Sequence, residues 1–303
     1  MTTLHGRTPL LGDYLALAAL DFACVARTSV GKKVFRRGLG GYEPETLAAI
    51  CALVEAEAPT TFLDIGANIG VFAVCARTLF PGVRTIGFEP LPEMAALARQ
   101  LAAANRVVYD LREQALGAAA GTATLYVSAK SDSSNSLAKG FRPAKGELQV
   151  SVCTVDEVLG AEPGRVLIKI DTESTEPDVL RGAERTLTTV RPCIICEVLA
   201  GRTEAALMEL LRPHEYTFYH LTTDMRWTPR DQIEGDRTYQ FRDWLFLPAE
   251  PGAALQASFA QYLTVIERLP GRDGKKAQSS ARAGWLHRRL RQIRRRIMKA
   301  TTS

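Results

Sequence analysis

The chain has little histidine and few cysteines, which limits the metal and redox chemistry it can carry. Its 303 residues include 4 histidines and 6 cysteines. Only Cys193 and Cys196 have the C-x-x-C spacing used in zinc and redox sites. They lie in an apolar run typical of a buried strand, where residues three apart point to opposite faces. We interpret them as core residues and predict neither a disulfide framework nor a structural zinc site.

Long uninterrupted hydrophobic runs are also missing. The apolar stretch at residues 10–25 contains Asp13 and Asp21 and follows a weakly cationic start. Two acidic residues exclude a membrane-spanning helix, and the weak positive charge disfavours a signal peptide. We expect residues 1–41 to form a helical extension packed on the rest of the chain, and we expect a cytoplasmic protein.

The composition, 46% hydrophobic and 23% charged, is that of an ordinary soluble domain, but the charge is unevenly distributed. From Gly271 onward there are 11 lysines and arginines and one aspartate, whereas the whole chain has a net charge of +5. We predict a linker and a basic amphipathic tail over residues 271–303. Such a helix can lie on an anionic membrane surface, and a solvated tail is the alternative. Nucleic-acid binding is disfavoured.

Residues 60–90 have the pattern of strand, glycine loop, helix and strand around which the chain is organised. The apolar residues 61–65 predict a buried parallel strand, and Gly66 to Gly70 follow it directly. Helical spacing then runs from residue 71 to residue 79. A second strand ends at Glu89, which lies 19 residues beyond Gly70. That is about the spacing of an acid that accepts hydrogen bonds from both hydroxyls of a ribose.

Two cofactor classes, dinucleotides and S-adenosylmethionine, are bound by this arrangement at the carboxyl end of parallel strands. Asn68 stands where a dinucleotide motif has its middle glycine. Asp64 precedes the loop, where an acid repels a pyrophosphate and attracts an ammonium group. We therefore predict S-adenosylmethionine as the cofactor. The residues predicted to bind it are Asp64, Gly66, Asn68, Gly70 and Glu89. The alternative is that these residues only cap and pack the turn.

A third strand is predicted within residues 107–117, and a polar side chain near its end would reach the adenine. Asp110 and Gln114 are the two candidates, and we assign Gln114 to the predicted cofactor site.

Acidic residues end two further predicted strands. Residues 166–170 and 193–198 are apolar runs typical of buried parallel strands, with Asp171 and Glu197 near their ends and Glu173 two residues after Asp171. Because parallel strands share one carboxyl edge, we expect these acids to face the cofactor crevice. We predict Asp171 as the base or acceptor-orienting group, followed by Glu197 and Glu173.

His220 is a further candidate for a base, although a single histidine in this position is more often a packing or surface residue. Hard cations take carboxylate oxygens, but the sequence assigns too few ligands to support a metal site, and we predict none.

An ordered set of motifs resembles one known family. The motifs are DIGANIG, FEP, SSNSL, VCTVDEVL, IKIDTESTEPDVLRGAERTL and RPCIICEV. Over about residues 42–247 they resemble the FkbM-type family of S-adenosylmethionine-dependent methyltransferases. The resemblance implies O-methylation of a hydroxyl on a saccharide or a secondary metabolite. It also implies that Ser133 to Ser136 line the acceptor pocket, with a plain linker as the alternative. One departure is Ser174, which stands where the family has glycine.

We therefore expect an α/β fold of the Rossmann-like class I methyltransferase type over residues 42–250. Its seven-stranded, mostly parallel sheet carries helices on both faces and closes with an antiparallel hairpin. A C-terminal helix follows at residues 251–270, and residues 130–147 are predicted to be a mobile loop.

The predicted acceptor is a small molecule or a glycan. The alternative functions are an N-methyltransferase of the same fold and a non-catalytic scaffold that binds S-adenosylmethionine and is tethered by the basic tail. An NAD-dependent oxidoreductase is disfavoured by Asp64 and Asn68.

Overall fold

The computed structural model describes residues 11–161 and 163–272. Almost all of the predicted linker and basic tail lies at residues 273–303, outside the described residues. Its amphipathic helix and its attachment to membranes therefore stay predictions from the sequence.

Eleven strands occur in the described part of the chain. They are β1 (Thr61–Ile65), β2 (Arg84–Phe88), β3 (Asp110–Arg112), β4 (Ala115–Leu116), β5 (Gly121–Ser128), β6 (Ala144–Cys153), β7 (Val166–Ile170), β8 (Cys193–Glu197), β9 (Thr217–His220), β10 (Pro229–Arg230) and β11 (Asp243–Leu247). The α-helices are α1 (Leu11–Ala18), α2 (Ser29–Arg37), α3 (Pro44–Glu57), α4 (Val71–Leu79), α5 (Pro92–Ala104), α6 (Val155–Leu159), α7 (Glu176–Arg181), α8 (Glu184–Thr189), α9 (Glu204–Leu211) and α10 (Ala253–Ile266).

The central sheet has the strand order β10-β9-β11-β8-β7-β1-β2-β3. The five strands from β8 to β3 are parallel to their neighbours, whereas β11, β9 and β10 are antiparallel to theirs. The chain runs outward from β1 through β2 to β3 and then returns to add β7 on the other side of β1. This reversal creates a topological switch point between β1 and β7, which is where ligands bind in open α/β sheets.

Both faces of the sheet are covered, as the predicted fold class requires. Successive residues of β1 enter different hydrophobic clusters: Phe62 packs with α3, α4 and α10, and Leu63 packs with α7, α8 and α9. Every residue of β1, β7 and β11 is buried. Nearly continuous apolar strands of this kind are typical of a sheet with helices on both faces.

The expectation of seven strands was one short, because the central sheet has eight. The additional strand is the two-residue β10, which pairs with β9 in the polar segment between β9 and β11. A proline–arginine pair has no alternating apolar pattern, so the strand depends on its neighbour rather than on propensity. The predicted antiparallel hairpin of the last two longer strands is present as β9 and β11.

A second sheet of three strands, in the order β4-β6-β5, lies beside the central one. Its strand β6 begins at Ala144, so the expectation of a loop as far as residue 147 was wrong at that end. Residues 144–147 are polar and exposed, but they pair with β5 through backbone hydrogen bonds. An exposed strand segment of this kind carries little hydrophobic signal in the sequence.

The N-terminal region and the C-terminal helix share one hydrophobic core with the central sheet. Leu17 of α1 and Val34 of α2 join the same buried cluster as Phe259 of α10 and Leu47 of α3. In the described part of the helical extension predicted at residues 1–41, two helices are joined by a short 3₁₀ turn at Ala23–Val25.

The cysteines are all free, and Cys193 and Cys196 belong to different hydrophobic clusters on the two sides of β8. This agrees with their interpretation as core residues. Among the described residues, no helix combines the length and the apolar character needed to cross a membrane.

Replacing Phe259 by alanine tests whether α10 is part of the core. Phe259 is fully buried, and its ring centroid lies 4.7 Å from that of Trp227. We expect the free energy of unfolding to fall by about 3–5 kcal/mol, because a large cavity replaces the ring. Urea denaturation followed by circular dichroism measures this. Gln261→Ala, at an exposed position of α10, is the matched control, and an equal effect of both variants would contradict the packing.

Candidate active site

At the switch point, the glycine loop that follows β1 lies against Asp171, the predicted catalytic residue that follows β7. The backbone N–H of Asp171 donates to the carbonyl of Ile65 at 3.0 Å, which continues the pairing of β7 with β1 beyond the strands. Gly66 follows with a φ of +78°, and a Cβ at this position would overlap the carbonyl oxygen of Asp171. Only glycine combines this backbone angle with so close an approach.

A cavity opens at this edge of the sheet, and six of the nine predicted site residues line it. They are Gly66, Asn68, Glu89, Gln114, Asp171 and Glu173. Its apolar part is formed by Phe88, Leu116 and Leu125. A smaller adjoining pocket shares Tyr42, Gly66, Asn68 and Asp171 with the cavity and extends to Phe72 and Lys169. Both pockets therefore combine apolar and charged lining residues.

Glu89 is held in a fixed orientation at one side of the cavity. Its Oε2 accepts the backbone N–H of Asn68, and its Oε1 accepts that of Leu91, each at 2.9 Å. Burial raises the pKa of Glu89 to about 7, against the opposing effect of these two N–H groups. Each oxygen keeps a further lone pair, as two ribose hydroxyls require. The residue therefore fits its predicted role in holding a nucleoside.

Asn68 presents an unused acceptor in the same place. Its backbone has a φ of +50°, a left-handed conformation that asparagine tolerates. Its Nδ2 donates to the carbonyl of Asp132 at 3.2 Å, whereas its Oδ1 is buried and has no hydrogen-bond partner among the described residues. Buried polar atoms are normally paired, so a polar ligand group fits here. Gln114 contacts Ser151 through Nε2 at 3.3 Å and also faces the cavity.

Asp64 and Gly70 lie outside the lining of either pocket. Asp64 is fully buried, and its Oδ2 accepts the N–H of Ala73 at 3.1 Å in the first turn of α4. Gly70 begins α4 with a φ of +77° and packs against the hydroxyl of Tyr109. Both residues thus make capping or packing contacts, as expected from the alternative interpretation that they only cap and pack the turn. Their contact with the cofactor stays a prediction.

The three predicted catalytic acids meet at the ends of β7 and β8. Asp171, Glu173 and Glu197 each offer a carboxylate oxygen, and these oxygens lie within 4.8 Å of one another. The strands are parallel neighbours, with Ile170 opposite Cys196, so their final acids are placed side by side. Asp171 and Glu173 face the cavity, whereas Glu197 lies behind them, with 1% of its side chain exposed.

Three cationic side chains that the sequence analysis did not single out surround these acids. The Nζ of Lys169 lies 3.4 Å from Oδ2 of Asp171 and 3.9 Å from Oδ1 of Asp64. Arg242 forms ion pairs with Glu197 and with Glu43, the latter at 2.8 Å. An Arg142 nitrogen lies 3.5 Å from Oε2 of Glu173. Lys169 was detectable as the single charged residue in an otherwise apolar buried strand.

These cations separate the pKa values of two neighbouring acids. Burial opposes the ionisation of Asp171, but Lys169 and Arg242 outweigh it and lower the pKa of that carboxyl. Burial and the charge of Asp171 raise the pKa of Glu173 to about 7. The site thus places a carboxylate that is ionised at neutral pH beside one that titrates near neutral pH, a contrast that is common where protons are moved.

The segment at residues 130–143 forms one wall of the cavity. Ser133, Asn135 and Ser136 line the cavity, and the Ser136 hydroxyl donates to the carbonyl of Glu173 at 2.6 Å. Asp132 accepts the backbone N–H of Ser29 at 3.0 Å and so joins the segment to the start of α2. This placement favours a pocket-lining role over a plain linker.

His220 and Trp227 are packing residues. The His220 ring stacks on Trp244 with ring centroids 4.9 Å apart, and its Nε2 lies 2.9 Å from the carbonyl oxygen of Phe241. Trp227 is buried against Phe259. Neither residue lines the cavity, and for His220 this agrees with the interpretation as a packing residue.

The loop after β7 departs from ordinary backbone geometry. Ser174 has a φ of +87°, and its hydroxyl is buried without a hydrogen-bond partner among the described residues. Its N–H donates to Oε1 of Glu176 at 3.1 Å, an oxygen that also accepts the N–H of Thr172. Serine adopts such an angle only at a cost in energy, whereas glycine adopts it freely.

Comparison with known proteins gives one family and several similar proteins. The family described as "Methyltransferase FkbM domain" matches residues 64–226. A curated protein from Beauveria bassiana, "Methyltransferase 1", is 29% identical over 143 residues, which cover 40% of this chain and 57% of that protein. The chain thus spans little more than half the length of this relative.

Two solved structures are similar at low sequence identity. The structure of methyltransferase FkbM from Methylobacillus flagellatus is 14% identical, with a TM-score of 0.41 over 78% of this chain and 58% of that one. The structure of an O-methyltransferase from Bacillus cereus in complex with SAH is 13% identical, with a TM-score of 0.38 over 67% of this chain and 80% of that one.

Replacing Ser174 by glycine should stabilise the protein. The substitution relieves the left-handed backbone and removes an unpaired buried hydroxyl, and the hydrogen bond to Glu176 is retained because it comes from the backbone. Glycine also raises the conformational entropy of the unfolded chain, which offsets part of this effect. We expect the free energy of unfolding to rise by about 1 kcal/mol in total. Thermal unfolding measures it. Ser133→Gly, where φ is not positive, is the control and should not stabilise; a loss of stability in S174G would contradict the strain.

Glu89→Gln tests the nucleoside site. The loss of a charged acceptor for two hydroxyls should weaken binding of S-adenosylhomocysteine by about tenfold or more. In the unmutated protein, affinity should rise between pH 6 and pH 8, because the carboxylate forms as pH passes the pKa of about 7. Calorimetric titration measures both effects. Glu93→Gln, exposed on α5, is the control, and a pH dependence that survives in E89Q would remove Glu89 as its source.

Proposed function

We propose an O-methyltransferase activity for this chain, which belongs to the FkbM methyltransferase family. Membership confirms the resemblance predicted from the motifs, and with it the predicted cofactor, S-adenosylmethionine. We further propose that the methyl acceptor is a hydroxyl of a saccharide or of a secondary metabolite. The cofactor residues are those of the cavity: Glu89 for the ribose, Gln114 for the adenine, and the loop from Gly66 to Asn68 for the close approach of the backbone.

A single observation carries the choice of a hydroxyl acceptor. An ionised carboxylate, Asp171, lies in the wall of the nucleoside cavity, beside two further acids and next to a buried ammonium that lowers its pKa. A hydroxyl must lose a proton when it becomes an ether, and a positioned carboxylate can accept that proton. The cavity therefore combines a place for the methyl donor with a group that prepares the nucleophile.

The chemistry divides between cofactor and protein. S-adenosylmethionine supplies, when bound, a methyl group already activated by its sulfonium. The residues of this chain have to align the acceptor, exclude water and take up its proton. Asp171 accepts the hydrogen bond and then the proton of the hydroxyl. Glu173 lies in the same wall of the cavity. Behind it, Arg242 holds Glu197 in place through an ion pair.

The wall at residues 130–143 completes the acceptor side of the cavity. Ser133, Asn135 and Ser136 offer hydroxyl and amide groups to the lining, and such groups hydrogen-bond readily to polyhydroxylated molecules. Arg142 adds a cation near Glu173. The lining as a whole suits a polar acceptor with several hydroxyls, which is the basis for proposing a saccharide or a polyoxygenated secondary metabolite.

Asp171→Asn tests the proposed mechanism. Transfer of the radiolabelled methyl group from S-adenosylmethionine is first measured on a panel of saccharides and hydroxylated secondary metabolites. With an accepted substrate, the variant should lose about 10² to 10⁴ in turnover and keep its affinity for S-adenosylhomocysteine within a few fold. Asp178→Asn, on the surface of α7 in an exposed ion pair with Arg181, is the matched control.

The outcomes separate the alternatives. Unchanged turnover in D171N would remove Asp171 as the base. Methylation of amines but not of hydroxyls on the same panel would favour an N-methyltransferase. Tight binding of S-adenosylhomocysteine with no transfer to any acceptor would favour a non-catalytic binding protein.

A further inference from the structure

The acids at the edge of the central sheet outnumber the cations that neutralise them. Lys169, Arg242 and Arg142 interact with six carboxylates, those of Glu43, Asp64, Asp171, Glu173, Glu197 and Asp243. When all six acids are ionised, the three cations leave three negative charges uncompensated in a largely buried region. Buried charge is unfavourable unless it is compensated. Compensation then comes either from protons on some of these acids or from a positively charged partner that binds among them.

Three of the acids are arranged as ligands. The oxygens offered by Asp171, Glu173 and Glu197 lie within 4.8 Å of one another. Oxygen atoms on opposite sides of a calcium ion lie about 4.6–5.2 Å apart, and those around magnesium about 4.0–4.2 Å apart, from metal–oxygen distances of 2.3–2.6 Å and 2.0–2.1 Å. A spread of 4.8 Å lies within the calcium span, so the three oxygens can share one ion of that size, whereas a magnesium ion requires them to move closer together.

The neighbouring cations leave an oxygen of each carboxylate available. Lys169 approaches Oδ2 of Asp171, Arg142 approaches Oε2 of Glu173, and Arg242 contacts Oε1 of Glu197. The second oxygen of each acid has no ion pair within the described residues.

An independent observation comes from Glu197. Its side chain is 1% exposed, and its Oε2 is buried without a hydrogen-bond partner among the described residues. A carboxylate oxygen in the interior that lacks any donor is unfavourable. Coordination of a cation by this oxygen would satisfy it, and the strand end that carries it already faces Asp171.

We propose that Asp171, Glu173 and Glu197 bind one hard divalent cation of the magnesium, manganese or calcium class. Ligands that are all carboxylate oxygens select such ions over zinc or copper, which prefer nitrogen and sulfur. The open side of the ion faces the cavity through Asp171 and Glu173.

The consequence for catalysis rests on the proposed O-methyltransferase function. An acceptor hydroxyl bound to the ion loses its proton more readily, because the charge of the metal stabilises the alkoxide. With the ion in place, one oxygen of Asp171 is a ligand and its other oxygen accepts the proton of the hydroxyl, while the charge of the metal stabilises the alkoxide that forms. Cation binding itself requires neither acceptor nor cofactor.

The test is a titration of the metal-free protein, prepared by dialysis against EDTA, with MnCl₂, MgCl₂ and CaCl₂ in separate experiments. Calorimetry follows all three, and the loss of the free-ion spectrum in electron paramagnetic resonance follows manganese. We expect one ion per chain, with binding weakened at least tenfold in Glu197→Gln, which keeps the shape of the side chain and removes a charge. Glu209→Gln, exposed on α9, is the matched control.

Absence of saturable binding of all three ions to the unmutated protein would overturn the proposal, as would equal affinities of the unmutated and E197Q proteins. Circular dichroism and binding of S-adenosylhomocysteine verify that E197Q is folded. Methyl transfer measured in EDTA separates this inference from the proposed function. If methyl transfer persists in EDTA and no ion binds, the O-methyltransferase function is supported and the metal site is ruled out. If an ion binds but no hydroxyl is methylated, the metal site is supported and the O-methyltransferase function is ruled out.

Discussion

The pairing of Asp64 with Lys169 is the constraint on which the rest of the site depends. The two residues are opposite each other in the register of β1 and β7, and both are almost completely buried. A shift of the register by one residue would place both charges among apolar side chains without a partner, at a cost of several kcal/mol for each ion. The ion pair therefore selects one alignment of the two strands that flank the switch point.

That alignment determines where the functional groups lie. With Asp64 opposite Lys169, Ile65 is opposite Ile170, and the next residues, Gly66 and Asp171, meet at the edge of the sheet. The glycine lets the loop turn without a side chain, and the aspartate projects into the same cleft. Lys169 also lowers the pKa of Asp171 from within the sheet. The lysine of this structural ion pair thus also lowers the pKa of a carboxylate in the wall of the cavity.

The motifs predicted much of this arrangement, because each is a local signal. Glycines next to an apolar run, an acid at the spacing of a ribose ligand, and acids at two further strand ends were sufficient to indicate the fold and the cofactor. Arg242 could not be anticipated, since its partners Glu43 and Glu197 lie about 200 and 45 residues away. The eighth strand and the full length of β6 were missed because backbone pairing, and not an apolar pattern, holds them.

The sequence by itself determined the α/β architecture, since this follows from periodicity and spacing within about 30 residues. It also indicated the family, through the resemblance of the ordered motifs over about residues 42–247. Only the tertiary structure decided which polar residues face the cavity and which lie beneath it. Asp64 and Glu89 have similar positions in the sequence, each at the end of a parallel strand. Glu89 lies in the cavity wall, whereas Asp64 faces the buried ammonium of Lys169. The direction of a side chain at a strand end is determined by the neighbour it meets across the sheet, and that neighbour is more than 100 residues away along the chain.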